Sequence, residues 1–270
     1  MILSYHPCIE ADRNLLCAGR EPDETDAGAI SAADAVILNQ GCYEALYQMA
    51  RKRGKRVFPN YDARFDYPGK IGQTRLFRQH GAPHPRTETY ENLDAYGARD
   101  LRECTFPAVF KFDWGGEGET VFLVKNREAL DQCLNRAKDF ERTGQKGFLI
   151  QEYVPHACRS LRVVVVHRHL TAYWRVQADN TRFGTSVAAG AGIDSGSDPE
   201  LQALAMARVQ ALCKKTGINL AGFDLLVPEP PRPPEPLFLE VNYFFGRRGL
   251  GGADAYYALL GREVRNWISE

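Results

Sequence analysis

The sequence carries a carboxylate and an amide inside an apolar run near its end. Glu240 and Asn242 interrupt the segment PLFLEVNYFFG, residues 236–246, whose other residues are typical of a buried strand. Side chains two residues apart in a strand point to the same face, so these polar groups are predicted to lie side by side. Burying them without partners would be unfavourable, so the pair indicates either a ligand or a hydrogen-bonded cluster.

A second carboxylate, that of Asp224, is predicted to face this pair. The segments GFDLLV and LFLEVN have the pattern of an antiparallel hairpin joined by the Pro-rich loop PEPPRPPEP, residues 228–236. In a loop centred on Arg232, facing residues have numbers that sum to twice 232, or 464, so Asp224 lies opposite Glu240. A β-bulge would shift this register by one residue.

Three oxygen-bearing side chains on one face predict a divalent metal site. Carboxylate and amide oxygens are hard ligands suited to Mg²⁺, and Mn²⁺ accepts the same donors. Without a cation between them, Asp224 and Glu240 would repel each other and the pKa of one would rise. Protein-bound Mg²⁺ usually completes its shell with water and phosphate oxygens, so the cluster also predicts a phosphate-bearing partner. The alternative is a hydrogen-bonded cluster at a sheet edge, with Asn242 capping the next loop.

A candidate phosphate site lies in the segment VFKFDWGGEGETVFLV. Lys111 stands within an apolar strand and is followed by three closely spaced glycines, Gly115, Gly116 and Gly118. Glycines let backbone N–H groups approach phosphate closely, and the lysine supplies a positioned positive charge. The alternative is a plain hairpin turn with a lysine whose ammonium reaches solvent. The phosphate-loop pattern G-x-x-x-x-G-K-[ST] is absent, and GRRGLGG near the end does not complete G-x-G-x-x-G.

The elements that must position these residues are strands and helices of an α/β protein. Residues 33–39, a helical segment and residues 56–59 predict a β-α-β unit with a parallel sheet. The other predicted elements are a helix at 71–80, a strand at 106–113 returning through TVFLVKN, a helix at REALDQCLNRAKDF, a strand at 147–154, a hairpin at 160–177, a loop at 184–198 and a helix from Pro199 that ends at Gly217.

Taken in order from about Lys70 to Gly252, these segments resemble the ATP-grasp superfamily. The branch is that of RimK-type ribosomal-protein glutamate ligases, glutathione synthetases and D-alanine ligases. The motifs are GKIGQTRLFRQHGAPHPRTE, the VFKFD strand with GGEGE, LIQEYV, GFDLLV and LEVN. The resemblance implies an α/β ATP-grasp fold with α+β lobes that sandwich ATP. The implied domains are residues 1–66, a small α/β domain; 67–150, the first lobe with the glycine loop; and 151–270, the second lobe with the metal-binding strands.

The resemblance also implies roles for individual residues. Two lysines correspond to the phosphate contacts of the family, and GGEGE corresponds to the flexible loop that closes over the triphosphate. The strand in LIQEYV lines the adenine site, where backbone groups at Glu152 and Val154 read the edge of the base. The implied nucleotide-binding residues are Lys70, Lys111, Gly115, Gly116, Gly118, Gln151, Glu152, Tyr153 and Val154, and the implied metal ligands are Asp224, Glu240 and Asn242.

The implied activity is ATP-dependent carboxylate–amine ligation with ATP and Mg²⁺ or Mn²⁺. A small molecule or peptide would receive the γ-phosphoryl group on its carboxylate, and an amine acceptor would then displace phosphate to form an amide or peptide bond. Two other hypotheses stay open: an ATP-grasp enzyme that phosphorylates a small molecule without ligation, and a non-catalytic nucleotide-binding module. The module is disfavoured because both lysines and all three metal ligands are present.

The sequence departs from the family at three places. Gly69 stands where an Asp usually precedes the first lysine, and Ser160 replaces the Asp of the D-x-R pattern, which leaves open what holds the ribose. FGTSVAAGAG, residues 183–192, lacks the Asn and the basic residue that relatives carry, so the substrate of those relatives cannot be assigned to this chain by analogy.

Guanidinium groups bind carboxylates bidentately. In addition to Lys111, the candidate catalytic residues are the arginines that could hold the substrate carboxylate: Arg162, Arg175, Arg247 and Arg248. The alternative role for each arginine is surface solvation or phosphate contact.

Composition argues against several classes of partner. The 270 residues are 44% hydrophobic and have a formal net charge of zero, so no overall positive field attracts nucleic acid or an anionic membrane. Neither a signal-peptide pattern nor a run of membrane-spanning length is found. The seven cysteines form no C-x-x-C pair, which favours reduced thiols and a cytoplasmic protein. Whether the chain forms a homodimer is left open.

Overall fold

The computed structural model describes residues 1–97, 105–116, 119–179, 183–185 and 190–270. These residues form three β-sheets with helices packed against them. The strands are β1 Ile2–Ser4, β2 Arg13–Asn14, β3 Ala35–Ile37, β4 Arg56–Phe58, β5 Thr87–Tyr90, β6 Ala108–Phe112, β7 Val121–Val124, β8 Phe148–Glu152, β9 Arg159–Val166, β10 His169–Val176, β11 Gly192–Asp194, β12 Leu220–Leu226 and β13 Leu237–Asn242. The helices are α1 Glu24–Ala32, α2 Glu44–Lys52, α3 Asp62–Asp66, α4 Gly69–His80, α5 Leu93–Gly97, α6 Arg127–Arg142, α7 Pro199–Thr216 and α8 Ala253–Ile268, with a 3-10 turn at Arg248–Leu250.

The first sheet is parallel and has the strand order β2-β1-β3-β4. Parallel neighbours need crossover connections, and α2 provides the one between β3 and β4. Val36 pairs with Val57 across these two strands, which confirms the predicted β-α-β unit. Helix α1 begins at a capping box, because the Asp23 side chain accepts hydrogen bonds from the backbone N–H groups of Thr25 and Asp26.

The second sheet is antiparallel, with the order β5-β8-β6-β7. Lys111 on β6 pairs with Val121 on β7, so the predicted hairpin around the glycine loop is confirmed. Strand β8 confirms the strand predicted at 147–154, and Val109 pairs with Gln151 across β6 and β8. The edge strand β5, which pairs with β8, has no counterpart among the predicted elements.

The third sheet is antiparallel, with the order β11-β10-β9-β12-β13. The predicted hairpin is β9 and β10, in which His169 pairs with Val166. Part of the segment predicted to be a loop, 184–198, is instead strand β11. It pairs with the otherwise free edge of β10, where Arg175 faces Ile193. Tertiary pairing with an open sheet edge therefore overrides the loop-like composition of this segment.

The buried apolar clusters group the sheets in a way that does not follow their order along the chain. Leu3 of the first sheet and Val163 of the third belong to one buried cluster, together with Phe77 of α4. The second sheet has its own cluster, which includes Phe110 and Phe148. The first and third sheets are thus one packed unit, and a cleft separates part of it from the second sheet. The domain boundaries after residues 66 and 150 stay a prediction.

Helix α4 starts earlier than the sequence predicts. It begins at Gly69 instead of residue 71, and it ends as predicted at His80, where Gly81 adopts a left-handed conformation with φ of 64°. Helix α7 ends at Thr216 before Gly217, also as predicted. None of the described helices is long and apolar enough to cross a membrane. The cysteines that the structure describes are free thiols, as predicted: Cys8, Cys17, Cys42, Cys133, Cys158 and Cys213.

Candidate active site

The hairpin β12–β13 brings the three predicted oxygen ligands together. Asp224 pairs with Glu240, which confirms the predicted register, and Asn242 pairs with Gly222 one step further along. A β-bulge follows Asp224, so that beyond it the register shifts by one residue and Leu225 faces Phe238. Next to the loop, Leu226 pairs with Leu237, so the loop is not centred on Arg232, and the bulge offsets this difference and restores the predicted pairing of Asp224 with Glu240.

The carboxylate of Asp224 is held by two arginines from the neighbouring strands. One oxygen accepts from Arg162 Nε and lies 2.8 Å from Arg175 Nη2, and the other accepts from Arg162 Nη2 at 3.0 Å. Asn242 Nδ2 donates to this second oxygen at 3.2 Å. Burial alone would raise the pKa of Asp224, but Arg162 and Arg175 lower it overall. With four donors on two oxygens, this carboxylate has no lone pair left for another partner.

Glu240 has the opposite environment, although it faces Asp224 directly. Among the described residues its carboxylate has no hydrogen bond or ion pair, and it lines the pocket described below. Desolvation and the nearby charge of Asp224 raise the pKa of Glu240, while Lys70 and Lys111 oppose that rise. Asn242 uses its amide nitrogen on Asp224, so its carbonyl oxygen is left to a different partner. Glu240 and the Asn242 oxygen are therefore two unsatisfied hard donors on one strand.

Lys111 supplies the matching unsatisfied cation. Its ammonium makes no hydrogen bond within the described part of the chain, and the side chain lines the pocket from the β6 side. Burial lowers the pKa of Lys111 to about 8, and the charge of Glu240 limits that fall. An ammonium kept away from water without a partner is a favourable site for an anion.

The second predicted lysine, Lys70, lies at the start of α4 and contacts the glycine loop. Its Nζ donates to the carbonyl oxygens of Trp114 at 3.1 Å and Gly115 at 2.9 Å. Burial lowers the pKa of Lys70, and the charges of Glu240 and Asp113 oppose this. Lys70 is not among the described residues that line the pocket, but it fixes the backbone at the base of the loop that borders it.

Asp113 fills the space beside Gly69 at the start of α4. Its Oδ1 accepts a hydrogen bond from the backbone N–H of Ile71 at 2.7 Å, which caps α4 from a neighbouring strand. Gly69 has φ of 67°, and a Cβ there would lie 2.5 Å from the Asp113 oxygens. Glycine is needed at 69 because the capping carboxylate fills the space of its side chain. This cap explains why α4 starts two residues early.

The glycine loop connects β6 to β7. Gly115 has φ of 80°, and a Cβ at this position would lie 2.4 Å from the side chain of Thr120. Thr120 in turn donates its hydroxyl to the carbonyl of Trp114 at 2.8 Å. Gly116 has open space around it. Gly118 lies outside the described residues.

A pocket of about 860 Å³ lies between the second and third sheets. Its volume is in the range of small-molecule and cofactor sites. Most of the residues predicted for nucleotide, metal and substrate contribute to its walls. Those lining residues are Lys111, Gln151, Glu152, Tyr153, Val154, Arg162, Arg175, Asp224, Glu240, Asn242 and Arg248.

Strand β8 and the residues after it form the wall predicted to bind adenine. Gln151 Nε2 donates to the Thr87 hydroxyl at 2.9 Å, so this side chain is used within the protein. The Glu152 N–H donates to Arg86 O at 2.8 Å and is not available to a base. The N–H of Val154 has no acceptor among the described residues. Of the two residues predicted to read the base, Glu152 and Val154, only Val154 has a free backbone N–H in the described part of the chain.

The Pro-rich loop reaches back onto this wall. Arg232, at the centre of the loop, forms an ion pair with Glu152. Glu229 Oε2 accepts from the N–H of Ala157 at 3.0 Å, and the Glu229 N–H donates to Pro155 O at 3.0 Å. The loop is therefore bonded to the residues that follow β8, and it fixes the outer end of the pocket.

Two of the four candidate clamp arginines lie in the pocket as an ion cluster. Arg162 and Arg175 share Asp224, which leaves one net positive charge facing the cavity. Arg175 also donates to the Ser160 hydroxyl at 3.2 and 3.3 Å. Ser160 in turn lies 2.5 Å from the hydroxyl of Thr185. The residue that replaces the family Asp is therefore part of the same network.

The two remaining candidates, Arg247 and Arg248, lie in different environments. Arg248 lines the pocket. Arg247 packs instead over the rings of Tyr256 and Tyr257 on α8, with its guanidinium carbon 5.0 and 4.6 Å from their centroids. It is not among the described lining residues, so the structure favours Arg248 over Arg247 for contact with a ligand.

A family model of the RimK-like ATP-grasp domain matches residues 70–252. This stretch is more than half of the chain and contains the motifs of the resemblance, of which only Gly69 falls outside it. The chain belongs to the RimK-like ATP-grasp family. The predicted resemblance and the predicted α/β ATP-grasp fold are confirmed. No curated protein sequence matches the chain.

Solved structures agree with this family at the level of the fold. A RimK domain ATP-grasp protein from Sphaerobacter thermophilus superposes with a TM-score of 0.65 at 15% identity, covering 97% of this chain and 98% of that one. D-alanine–D-alanine ligase from Bacillus anthracis gives 0.63 at 14% identity, covering 97% and 88%. L-amino acid ligase from Bacillus licheniformis gives 0.60 at 13% identity, covering 92% and 63%. The small N-terminal sheet is thus included in the similarity.

Two residues of the site have no part in the sequence-based predictions. Asp113 caps α4 from 42 residues away, and Arg232 pairs with Glu152 from 80 residues away. Gly69 shows that the usual family Asp is missing, but it does not point to Asp113. Nothing in the sequence singles out Arg232 except its central place in the Pro-rich loop.

Proposed function

We propose that this protein is an ATP-dependent carboxylate–amine ligase that releases ADP and phosphate. One observation carries the proposal: Lys111 on one side of the pocket and Glu240 on the other are desolvated and without partners in the described residues. An ammonium and a carboxylate that do not pair with each other, across a cavity of cofactor size, fit a polyanion accompanied by a divalent cation.

The family and the similar structures support this choice of ligand and reaction. Members of the RimK-like ATP-grasp family bind ATP, and two of the similar structures are named as ligases of amino acids. The site of this chain has the parts that such a reaction needs, because phosphoryl transfer depends mainly on positioning and charge neutralisation. The substrate acid and the amine are not specified by these similarities.

A magnesium ion fits the donors that the hairpin leaves free. In the described residues no group of three His, Cys, Asp or Glu side chains is placed to hold a metal. Glu240 and the carbonyl oxygen of Asn242 are the unsatisfied hard ligands, and Asp224 would have to release an arginine or Asn242 to join them. Mg²⁺ usually takes few protein ligands and completes its shell with phosphate and water. When bound, the ion supplies charge neutralisation on the phosphate oxygens.

The chain's own residues then have separable tasks. Lys111 holds a phosphate group at the β6 wall, and Lys70 fixes the base of the glycine loop that covers the phosphates. The Arg162–Asp224–Arg175 cluster, with its net positive charge, holds the substrate carboxylate close to the transferred phosphoryl group. That carboxylate accepts the γ-phosphoryl group as ADP leaves. An amine then attacks the acylphosphate carbon, the C–O bond to phosphate breaks, and an amide bond remains.

Two alternatives make different products. A small-molecule kinase of this fold would leave a stable phosphorylated product, and a non-catalytic module would bind nucleotide without turnover. The discriminating experiment is a screen for ADP release over paired amino acids, small peptides and amines, with product masses read directly. Phosphate release that depends on both an acid and an amine, together with a condensed product mass, supports ligation. ADP release with an acid alone and a phosphorylated mass identifies the kinase.

A further inference from the structure

The proposed nucleotide site has Ser160 at the position of the family Asp. Ser160, which replaces the family Asp, lies 2.5 Å from the Thr185 hydroxyl and accepts from Arg175. Glu152 lines the pocket, and its Oε1 forms an ion pair with Arg232. Ser160 is thus engaged within the protein, and Arg232 balances the charge of Glu152. A neutral side chain with a free acceptor atom would suit a ribose hydroxyl beside them.

His156 offers such an acceptor. Its Nδ1 lies 2.8 Å from the carbonyl oxygen of Val154. Because a carbonyl oxygen only accepts hydrogen bonds, Nδ1 must carry the proton, and in the neutral ring Nε2 is then an acceptor. Nε2 has no partner within the described residues. The ring of Tyr153 lies edge-on to the imidazole, at 64° and with the centroids 6.2 Å apart.

The position of His156 fits contact with the sugar rather than with the base. The residue lines the pocket and lies two residues beyond Val154, whose free N–H faces the base in the proposed site. The same Val154 therefore offers its N–H to the base and its carbonyl to the imidazole. The hydrogen bond to the Val154 carbonyl therefore fixes the position of His156 Nε2 relative to the Val154 N–H.

We propose that His156 is the ribose-recognition residue of this protein, with its Nε2 accepting a hydrogen bond from a ribose hydroxyl of ATP. The proposal rests on the ATP site of the proposed function and does not depend on the ligation step. Its consequence is selectivity for a ribonucleotide, because a nucleotide that lacks the donor hydroxyl leaves the acceptor unpaired.

The test is the binding of three nucleotides, ATP, 2′-deoxy-ATP and 3′-deoxy-ATP, each with Mg²⁺ and measured by calorimetry. For the wild-type protein we expect one of the two deoxy nucleotides to bind about five- to tenfold more weakly than ATP, as for the loss of one hydrogen bond. For His156→Ala we expect all three to bind equally. Where that variant does not fold, His156→Phe keeps a planar ring without the acceptor and is expected to give the same equality.

The matched control is His84. Its Nδ1 also lies 2.8 Å from a carbonyl two residues earlier, that of Ala82, but His84 is not among the described pocket residues. His84→Ala is expected to keep the wild-type preference. Equal binding of all three nucleotides to the wild type, or a preference retained in both His156 variants, would overturn the proposal. No binding of ATP at all would overturn the ATP site itself, whereas a clear preference without turnover would contradict only the ligase.

Discussion

Asp224 and Glu240 face each other across the β12–β13 hairpin, and only one of the two carboxylates is satisfied. Asp224 receives four donors from Arg162, Arg175 and Asn242, whereas Glu240 has no hydrogen bond or ion pair in the described residues. A hairpin pair that looks symmetric in the sequence therefore has two roles. Asp224 organises the arginines, and Glu240 is the carboxylate available to a cation.

Removal of the Glu240 carboxylate should strongly reduce turnover without harming the fold. We expect Glu240→Gln to lower the rate of ADP release by about 10² to 10³, in line with the loss of one electrostatic contact to a phosphoryl group. The free energy of unfolding without nucleotide should stay equal or rise, because an unpaired desolvated carboxylate is lost. Steady-state kinetics measures the rate of ADP release, and urea denaturation measures the free energy of unfolding. Near wild-type activity at saturating Mg²⁺ would rule out a metal at Glu240.

Asp224→Asn should lower the free energy of unfolding, in contrast to Glu240→Gln. The change leaves Arg162 and Arg175 as buried cations without a counter-charge, and breaking such a pair typically costs about 3–5 kcal/mol. We expect the urea midpoint to fall accordingly, also in the absence of ATP. Glu240→Gln is the matched control, since it removes one negative charge at the facing position. Equal stability of the two variants would contradict the assignment of separate roles.

Lys111→Ala should weaken binding of the triphosphate and leave adenosine binding unchanged. A hydrogen bond to a charged group contributes about 1.5–3 kcal/mol, which corresponds to roughly a 10- to 100-fold loss of ATP affinity. Calorimetric titration with ATP and with adenosine measures the difference. Equal losses for the two ligands would show that Lys111 supports the pocket as a whole instead of holding phosphate.

The affinity for ATP should also fall at alkaline pH. The pKa of Lys111 is lowered to about 8, so in the free protein its ammonium is charged below that pH and loses its proton above it. Because triphosphate binds the charged form, affinity is expected to decline as pH rises through and beyond 8. In Lys111→Arg the guanidinium stays charged, and this decline should disappear. A wild-type affinity that is flat from pH 7 to 9.5 would contradict the role of the lysine.

Gly115→Ala should disturb the glycine loop, and Gly116→Ala should not. Gly115 has φ of 80° and a Cβ there would lie 2.4 Å from Thr120, whereas the space beside Gly116 is open. Strain at a left-handed position typically costs about 1–3 kcal/mol. We expect a lower melting temperature and weaker ATP binding for the first variant only. Similar behaviour of both alanine variants would mean that the loop does not depend on this conformation.

The parts of the site that depend on local periodicity were predictable from the sequence. The two-residue repeat of a strand and the assumption of a loop centred on Arg232 place Asp224 opposite Glu240, and the glycines after Lys111 indicate the glycine loop. The bulge after Asp224 was not predictable, because it depends on how the hairpin meets the rest of the molecule. One such contact is the bond from Phe238 N–H to Pro83 O at 2.7 Å.

Contacts between distant segments could not be read in advance. The sequence offers Arg162 and Arg175 as candidates for a substrate clamp, but it does not predict that they saturate Asp224, one of the predicted metal ligands. It likewise gives no sign that Asp113 caps α4, because a cap is expected from the residue just before a helix. In each case a side chain is matched to a partner that only the fold brings near.

The cap on α4 also links the two packed halves of the molecule mechanically. The first turn of this helix is bonded to Asp113 and the glycine loop, while Leu76 and Phe77 further along it are buried in the core shared by the first and third sheets. One helix therefore holds both parts: its first turn belongs with the second sheet, and its middle belongs with the other two. Any relative displacement of these two parts would have to strain or break the contacts of Lys70 and Ile71 at the start of α4.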